Sequence, residues 1–72
     1  MTEYEKLANA IVLQAVKDYR HALKHQKKCP NSRDAKAQID ELERFFRSGW
    51  YTALTTVDGE YLITELRKEA LK

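Results

Sequence analysis

The sequence predicts an all-α fold, a small helical bundle of three longer helices and one short one, and three observations carry that prediction. Apolar residues recur at helical spacing across residues 3 to 28 with no Gly or Pro between them. A second periodic segment starts just after Pro30, and a third starts after Gly59. Apolar positions at i, i+3, i+4 and i+7 line one side of a helix, and such a stripe has to be buried against another element.

The first helix is expected over 3 to 28. Its stripe is Tyr4, Leu7, Ala8, Ile11, Val12, Ala15, Val16, Tyr19, Ala22 and Leu23, with Thr2 as candidate cap, Glu3 and Glu5 in the first turn and lysines at the end. At the helical rise it is about 39 Å long, whereas a compact chain of this size is only about 30 Å across. The stripe from Tyr4 to Leu23 spans about 29 Å and matches the globule. The turn after Leu23, KHQKK, is therefore expected to overhang the core or fray.

Pro30 stops this helix, because its ring disfavours helical geometry at Cys29 and it lacks an N–H. Asn31 or Ser32 then caps a second helix over 32 to 47, with Ala35, Ile39, Leu42, Phe45 and Phe46 as its buried stripe. Asp40 with Arg44 and Glu43 with Arg47 form acid-first i, i+4 pairs, each contributing a few tenths of a kcal/mol. The short connection makes the two helices antiparallel neighbours.

Residues 43 to 66 hold five of the seven aromatics, so much of the core is expected here. Ser48-Gly49 interrupts the second helix, Gly49 supplying the positive φ of a helix end and Ser48 accepting from the next turn. Trp50, Tyr51 and Leu54 give one face of a short helix over 49 to 55, ended by Thr55, Thr56 and Val57. Asp58 caps a last helix over 59 to 71, with Leu62, Ile63, Leu66 and Ala70 as its stripe. The alternative is two helices plus a β-hairpin at 51–66, since Asp58-Gly59 between apolar runs is also a type I′ hairpin signal.

Seventy-two residues form a single helical domain, residues 1–72, at a size where one core supplies only about 3–5 kcal/mol. A second copy of the chain is therefore a candidate partner. One cysteine, Cys29, excludes an intrachain disulfide and fits a reducing cytoplasm. No signal peptide or membrane span is evident, so a cytoplasmic protein with no membrane association is expected.

The net charge of +2 is unevenly placed: residues 17 to 36 carry +5 and the remainder −3. Lys17, Arg20, Lys24, Lys27, Lys28, Arg33 and Lys36 could neutralise a phosphate backbone. The plainer reading is a solvated helix end whose lysines complement the helix dipole. No aromatic interleaves with them to stack on bases except Tyr19, which sits on the core stripe. Nucleic acid is accordingly the alternative partner and a protein the preferred one. Trp50 and Tyr51 are adjacent and hard to bury together; Tyr51 is the expected exposed member, with Arg44 or Arg47 beside it, a residue mix common at interface hot spots.

His21, His25 and Cys29 stand at i, i+4 and i+8, a spacing that could chelate zinc. Three nearby lysines would repel a cation and no carboxylate completes the set, so solvated histidines beside a partly buried Cys29 are expected and no metal. Asp58, Glu60 and Glu65 are accounted for by capping and solvation, with no nucleophile–base pair nearby. The expectation is no catalytic residues and no cofactor.

The elements FFRS, W-x-x-x-L-T and DGEYLI-x-x-LR within residues 43 to 67 resemble segments of short, largely uncharacterised proteins of prophages and integrative elements in Gram-positive bacteria. The resemblance covers about a third of the chain. It implies an accessory or regulatory role in the bacterial host cytoplasm and brings no catalytic residues with it. The functional expectation is a non-enzymatic protein-interaction or regulatory module; the alternative is a small DNA-binding accessory protein using the basic end of the first helix.

Overall fold

The computed structural model describes residues 2–71, which form α1 (Glu3–Lys28), α2 (Arg33–Arg47), α3 (Gly49–Leu54) and α4 (Gly59–Ala70), with no strand among them. The hairpin alternative is thereby overturned. Each helix begins at a side-chain cap. Thr2 Oγ1 accepts from the Glu5 amide at 3.1 Å, Ser32 Oγ from Ala35 at 3.3 Å, Ser48 Oγ from Tyr51 at 3.2 Å, and Asp58 Oδ1 from Glu60 at 3.0 Å. These bonds satisfy amide groups that the first helical turn leaves without carbonyl partners.

The α1–α2 corner is closed by the Ser32 amide donating to the Cys29 carbonyl at 3.0 Å. Ser48 serves two helices at once: its hydroxyl donates to the Phe45 carbonyl at 2.7 Å while accepting from Tyr51, so α2 ends and α3 starts on one residue. Its backbone is extended, φ −80° and ψ 159°, and no glycine has positive φ. Gly49 therefore does not supply the left-handed conformation expected of it. The corner is made by an extended Ser48, which redirects the chain without any left-handed residue.

The helices α1, α2 and α4 pack pairwise into a three-helix bundle, and α3 lies against α1 and α2. The α2 helix returns antiparallel to α1, and α4 runs back alongside α1, bringing Arg67 to Tyr19 and Glu69 to Arg20. Gly59 is needed where α4 starts. A Cβ there would overlap the carbonyl oxygen of Phe46 and lie 2.8 Å from its carbon, both backbone atoms of α2. The glycine permits a close helix approach, not a turn.

The core is built from Ala15, Tyr19, Ala22, Leu23, Ile39, Phe46, Tyr51, Ile63 and Leu66. Tyr19, Phe46 and Tyr51 are its largest fully buried side chains. Phe46 meets Tyr19 and Tyr51 edge-on at ring-centroid distances of 5.6 and 5.7 Å, an arrangement that sets positive ring edges on negative faces. Leu42 and Phe45, expected in the core, are only half-buried at its margin.

The molecule measures 41 × 22 × 18 Å, elongated along α1 rather than about 30 Å across. The turn after Leu23 does not fray, and its Lys24, His25, Lys27 and Lys28 are exposed. α1 stays helical through Lys28, and Leu23 and Lys27 share a surface hollow with Ala70 and Leu71 of the α4 end. Tyr4 and Leu7, each 62% exposed, lie at the opposite end, where the Tyr4 hydroxyl reaches the Ala53 carbonyl of α3 at 3.3 Å. The apolar stripe thus outruns the bundle at its N-terminal side.

Candidate functional site

Of the residues the sequence singles out for a partner, Trp50 is the exposed one and Tyr51 the buried one, the reverse of expectation. Trp50 is 65% exposed on α3, while Tyr51 is wholly buried. Tyr51 packs edge-on to Phe45 and Phe46 at 5.8 and 5.7 Å, and its amide is capped by Ser48. Successive residues of a helix diverge by 100°, so fixing Tyr51 in the core turns Trp50 outward. The Tyr51 hydroxyl has no hydrogen-bond partner among the described residues, and burial followed by the nearby Asp58 charge pushes its pKa up. Such a phenol stays protonated.

Arg44 is exposed and makes no ion pair among the described residues. Arg47 is committed inside the molecule: it pairs with Glu60 at the start of α4 and, at 3.5 Å, with Glu43 one turn back on α2. The structure thus ties Arg47 down and leaves Trp50 and Arg44 free.

Glu43 is the residue that sequence reasoning misread. The expected pair with Arg47 is present at 3.5 Å, but Glu43 is also the one buried charged side chain among the described residues. The Tyr19 hydroxyl donates to Glu43 Oε2 at 2.6 Å, an Arg67 Nη donates to the same oxygen, and Arg67 Nε donates to the Tyr19 oxygen at 3.2 Å. Burial raises the Glu43 pKa, but the hydrogen bonds from Tyr19 and Arg67 outweigh it and hold the carboxyl below its ordinary range. Tyr19 is pushed up to about 12, by burial first and by Glu43 second. The network therefore joins α1, α2 and α4 with an ionised carboxylate and a protonated phenol. Groups so far from neutrality make a brace, not a proton-transfer pair. The only signal in the sequence was that position 43 extends the α2 stripe, four residues on from Ile39.

Lys17, Arg20, Lys24, Lys27, Lys28, Arg33 and Lys36 are all exposed. Arg20 pairs with Glu69 at 3.1 Å and is the one member of the set held in an ion pair among the described residues. Five of the seven lie on α1, and Arg33 and Lys36 lie at the start of the antiparallel α2. His21 and His25 are exposed, and so is Cys29, which was expected to be partly buried. Among the described residues no three His, Cys, Asp or Glu side chains gather as metal ligands, and no helix is long and apolar enough to cross a membrane.

Fold and site together define a small three-helix bundle braced by a buried Tyr–Glu–Arg network, with one tryptophan presented on a short fourth helix. In comparison with known proteins, no family model, no curated protein and no solved structure matches the chain.

Proposed function

We propose that this protein is a non-enzymatic interaction or regulatory module, of the accessory kind carried by phages and other mobile elements, and that it binds a protein through the surface around Trp50. The observation that carries this is a fully formed tryptophan anchor held outward on a rigid support. Tyr51 and Ser48 fix α3 to the core, so Trp50 reaches a partner without first paying to order its own backbone. The mobile-element setting rests on the resemblance of residues 43 to 67. Because Trp50 is the sole tryptophan, its emission reports directly on the surface. Trp50→Ala is expected to leave the circular dichroism spectrum and melting temperature unchanged while abolishing capture of the partner from a bacterial lysate. Undiminished capture by the folded variant would reject the reading.

A second reading, DNA binding, is favoured by one feature: seven basic side chains are exposed on α1 and the adjoining turn of α2, and six are free of ion pairs among the described residues. Replacing Lys24, Lys27 and Lys28 with Gln is expected to change stability by no more than about 0.5 kcal/mol. If DNA is the ligand, the triple variant weakens binding to every sequence alike and flattens the salt dependence. If an acidic protein is the ligand, the association rate falls more than the dissociation rate rises.

A further inference from the structure

Taken from Ala10 in alternate steps of three and four residues, α1 carries Ala10, Leu13, Lys17, Arg20, Lys24 and Lys27, and all six are exposed. Such steps average 3.5 residues, close to the helical repeat, so the six side chains keep to one side of the helix for about 26 Å. Ala8, Ala15 and Ala22, buried in the bundle at 3, 8 and 1% exposure, occupy the opposite side. The first four of the series, with Gln14 and Val16, line a shallow open hollow of about 320 Å³. The ridge thus begins apolar, with Leu13 67% exposed, and ends in four cations with no acid in the series. Of the four, Arg20 alone is held in an ion pair among the described residues, an exposed one with Glu69. Pairs of that kind are weak and give way to a better partner.

We infer that this ridge docks an acidic helix of a partner protein, laid alongside α1, whose carboxylates meet Lys17, Arg20, Lys24 and Lys27 and whose apolar side chains cover Ala10 and Leu13. The inference rests on the reading of the protein as an interaction module, and it gives these basic side chains a protein ligand in place of duplex DNA.

Spacing and charge select that occupant. Steps of three and four are the repeat that two packed helices present to each other, whereas an extended chain repeats every two residues. Four cations in line, without an intervening acid, are complementary to carboxylates at the same repeat. A second copy brings only more positive charge: in antiparallel register Lys17 and Arg20 face Arg20 and Lys17. A phosphate backbone would satisfy the cations but offers Leu13 nothing to bury against. An anionic bilayer requires a broad apolar face, and Ala10 and Leu13 are the only apolar members of the ridge. A helix meets both needs, one side chain at a time. Because exposed ion pairs are individually weak, the surface depends on several of them acting together with the contact at Leu13.

The probe is a labelled synthetic helical peptide with Glu at the four positions that face the cations and Leu and Ala at those that face Ala10 and Leu13. The comparisons are an equally helical peptide of the same composition in shuffled order, a duplex DNA and phosphatidylserine vesicles. Binding is read by fluorescence anisotropy and, for the vesicles, by co-sedimentation. The expected result is that the patterned peptide binds at least tenfold more tightly than the shuffled one. Lys17→Gln combined with Lys24→Gln weakens it at least tenfold, and Leu13→Gln, which leaves every charge in place, at least fivefold. Lys36→Gln, a basic side chain outside the series, and Trp50→Ala each stay within twofold. All these sites are exposed, so the folds survive, which circular dichroism checks. Equal binding of the two peptides, or indifference to Leu13→Gln, overturns the inference, because charge alone is then being read. Tighter binding of the duplex or of the vesicles than of the patterned peptide overturns it as well. The ridge variants keep Trp50 and Trp50→Ala keeps the ridge, so failure of either surface leaves the other reading standing.

Discussion

Removing the Glu43 carboxylate tests whether the buried network holds the three long helices together. In Glu43→Ala the Tyr19 hydroxyl, on a residue with no exposed surface, loses its acceptor. An unsatisfied buried hydroxyl costs about 1–3 kcal/mol. Breaking a buried ion pair from one side costs about 3–5 kcal/mol when the other charge is stranded. Arg67 is not stranded, because its side chain is 53% exposed and turns to water, so the lower figure applies with a small addition for lost volume. The expected loss is about 2–3 kcal/mol, against a total of about 3–5 kcal/mol for a core of this size. Glu43→Gln keeps an acceptor for Tyr19 and loses the negative charge that faces Arg67 and Arg47, an expected loss of about 1 kcal/mol. The pH dependence has a definite sign. The folded pKa of Glu43 lies below its ordinary value of 4.5, so its ionised form stabilises the protein fully above that pH, and the contribution fades as pH falls through the folded value. The gap between wild type and Glu43→Gln should therefore close in acid. Urea denaturation followed by circular dichroism, at pH 7 and in steps downward from pH about 5, reads both effects. A Glu43→Ala variant within about 0.5 kcal/mol of wild type at pH 7, or a gap that persists unchanged in acid, refutes the brace.

Three further substitutions separate the packing arguments. Gly59→Ala is expected to cost more than about 2 kcal/mol, because its Cβ meets the backbone of Phe46, which cannot step aside; Gly49→Ala has nothing within 4 Å of its Cβ and should be neutral or stabilising by up to about 1 kcal/mol. Thermal melts of the pair decide it, and equal melting temperatures would contradict the close approach of α4 to α2. Tyr51→Phe removes a buried hydroxyl that has no partner and should leave stability unchanged or slightly raised; a measured loss above about 1 kcal/mol would mean that the hydroxyl is bonded in solution. Phe46→Ala should cost about 3–5 kcal/mol, whereas Leu42→Ala at the open margin should cost clearly less, and chemical denaturation reversing that order would relocate the core.

The sequence by itself determined the four helices and nearly all of their ends. Thr2, Ser32, Ser48 and Asp58 each cap an amide two or three residues away, and Pro30 acts on the peptide beside it, so the physics is local and readable along the chain. Periodicity favoured a helix over the hairpin, since Leu62, Ile63, Leu66 and Ala70 make one helical face, but only the structure, with Gly59–Ala70 helical, removed the hairpin. Only the tertiary structure decided how those helices are turned. The acceptor of the Tyr19 hydroxyl lies 24 residues along the chain and the Arg67 donor 48, so the only sign near Glu43 is that its position continues the α2 stripe from Ile39. Gly59 reads as a turn residue in sequence, yet its requirement is the Phe46 carbonyl of another helix. Between adjacent Trp50 and Tyr51 the sequence pointed to Tyr51 as the exposed one, and the structure reverses them. Tyr51 goes inside because Phe45 and Phe46 offer it two ring edges at once, and a six-residue helix cannot bury both of its aromatic neighbours.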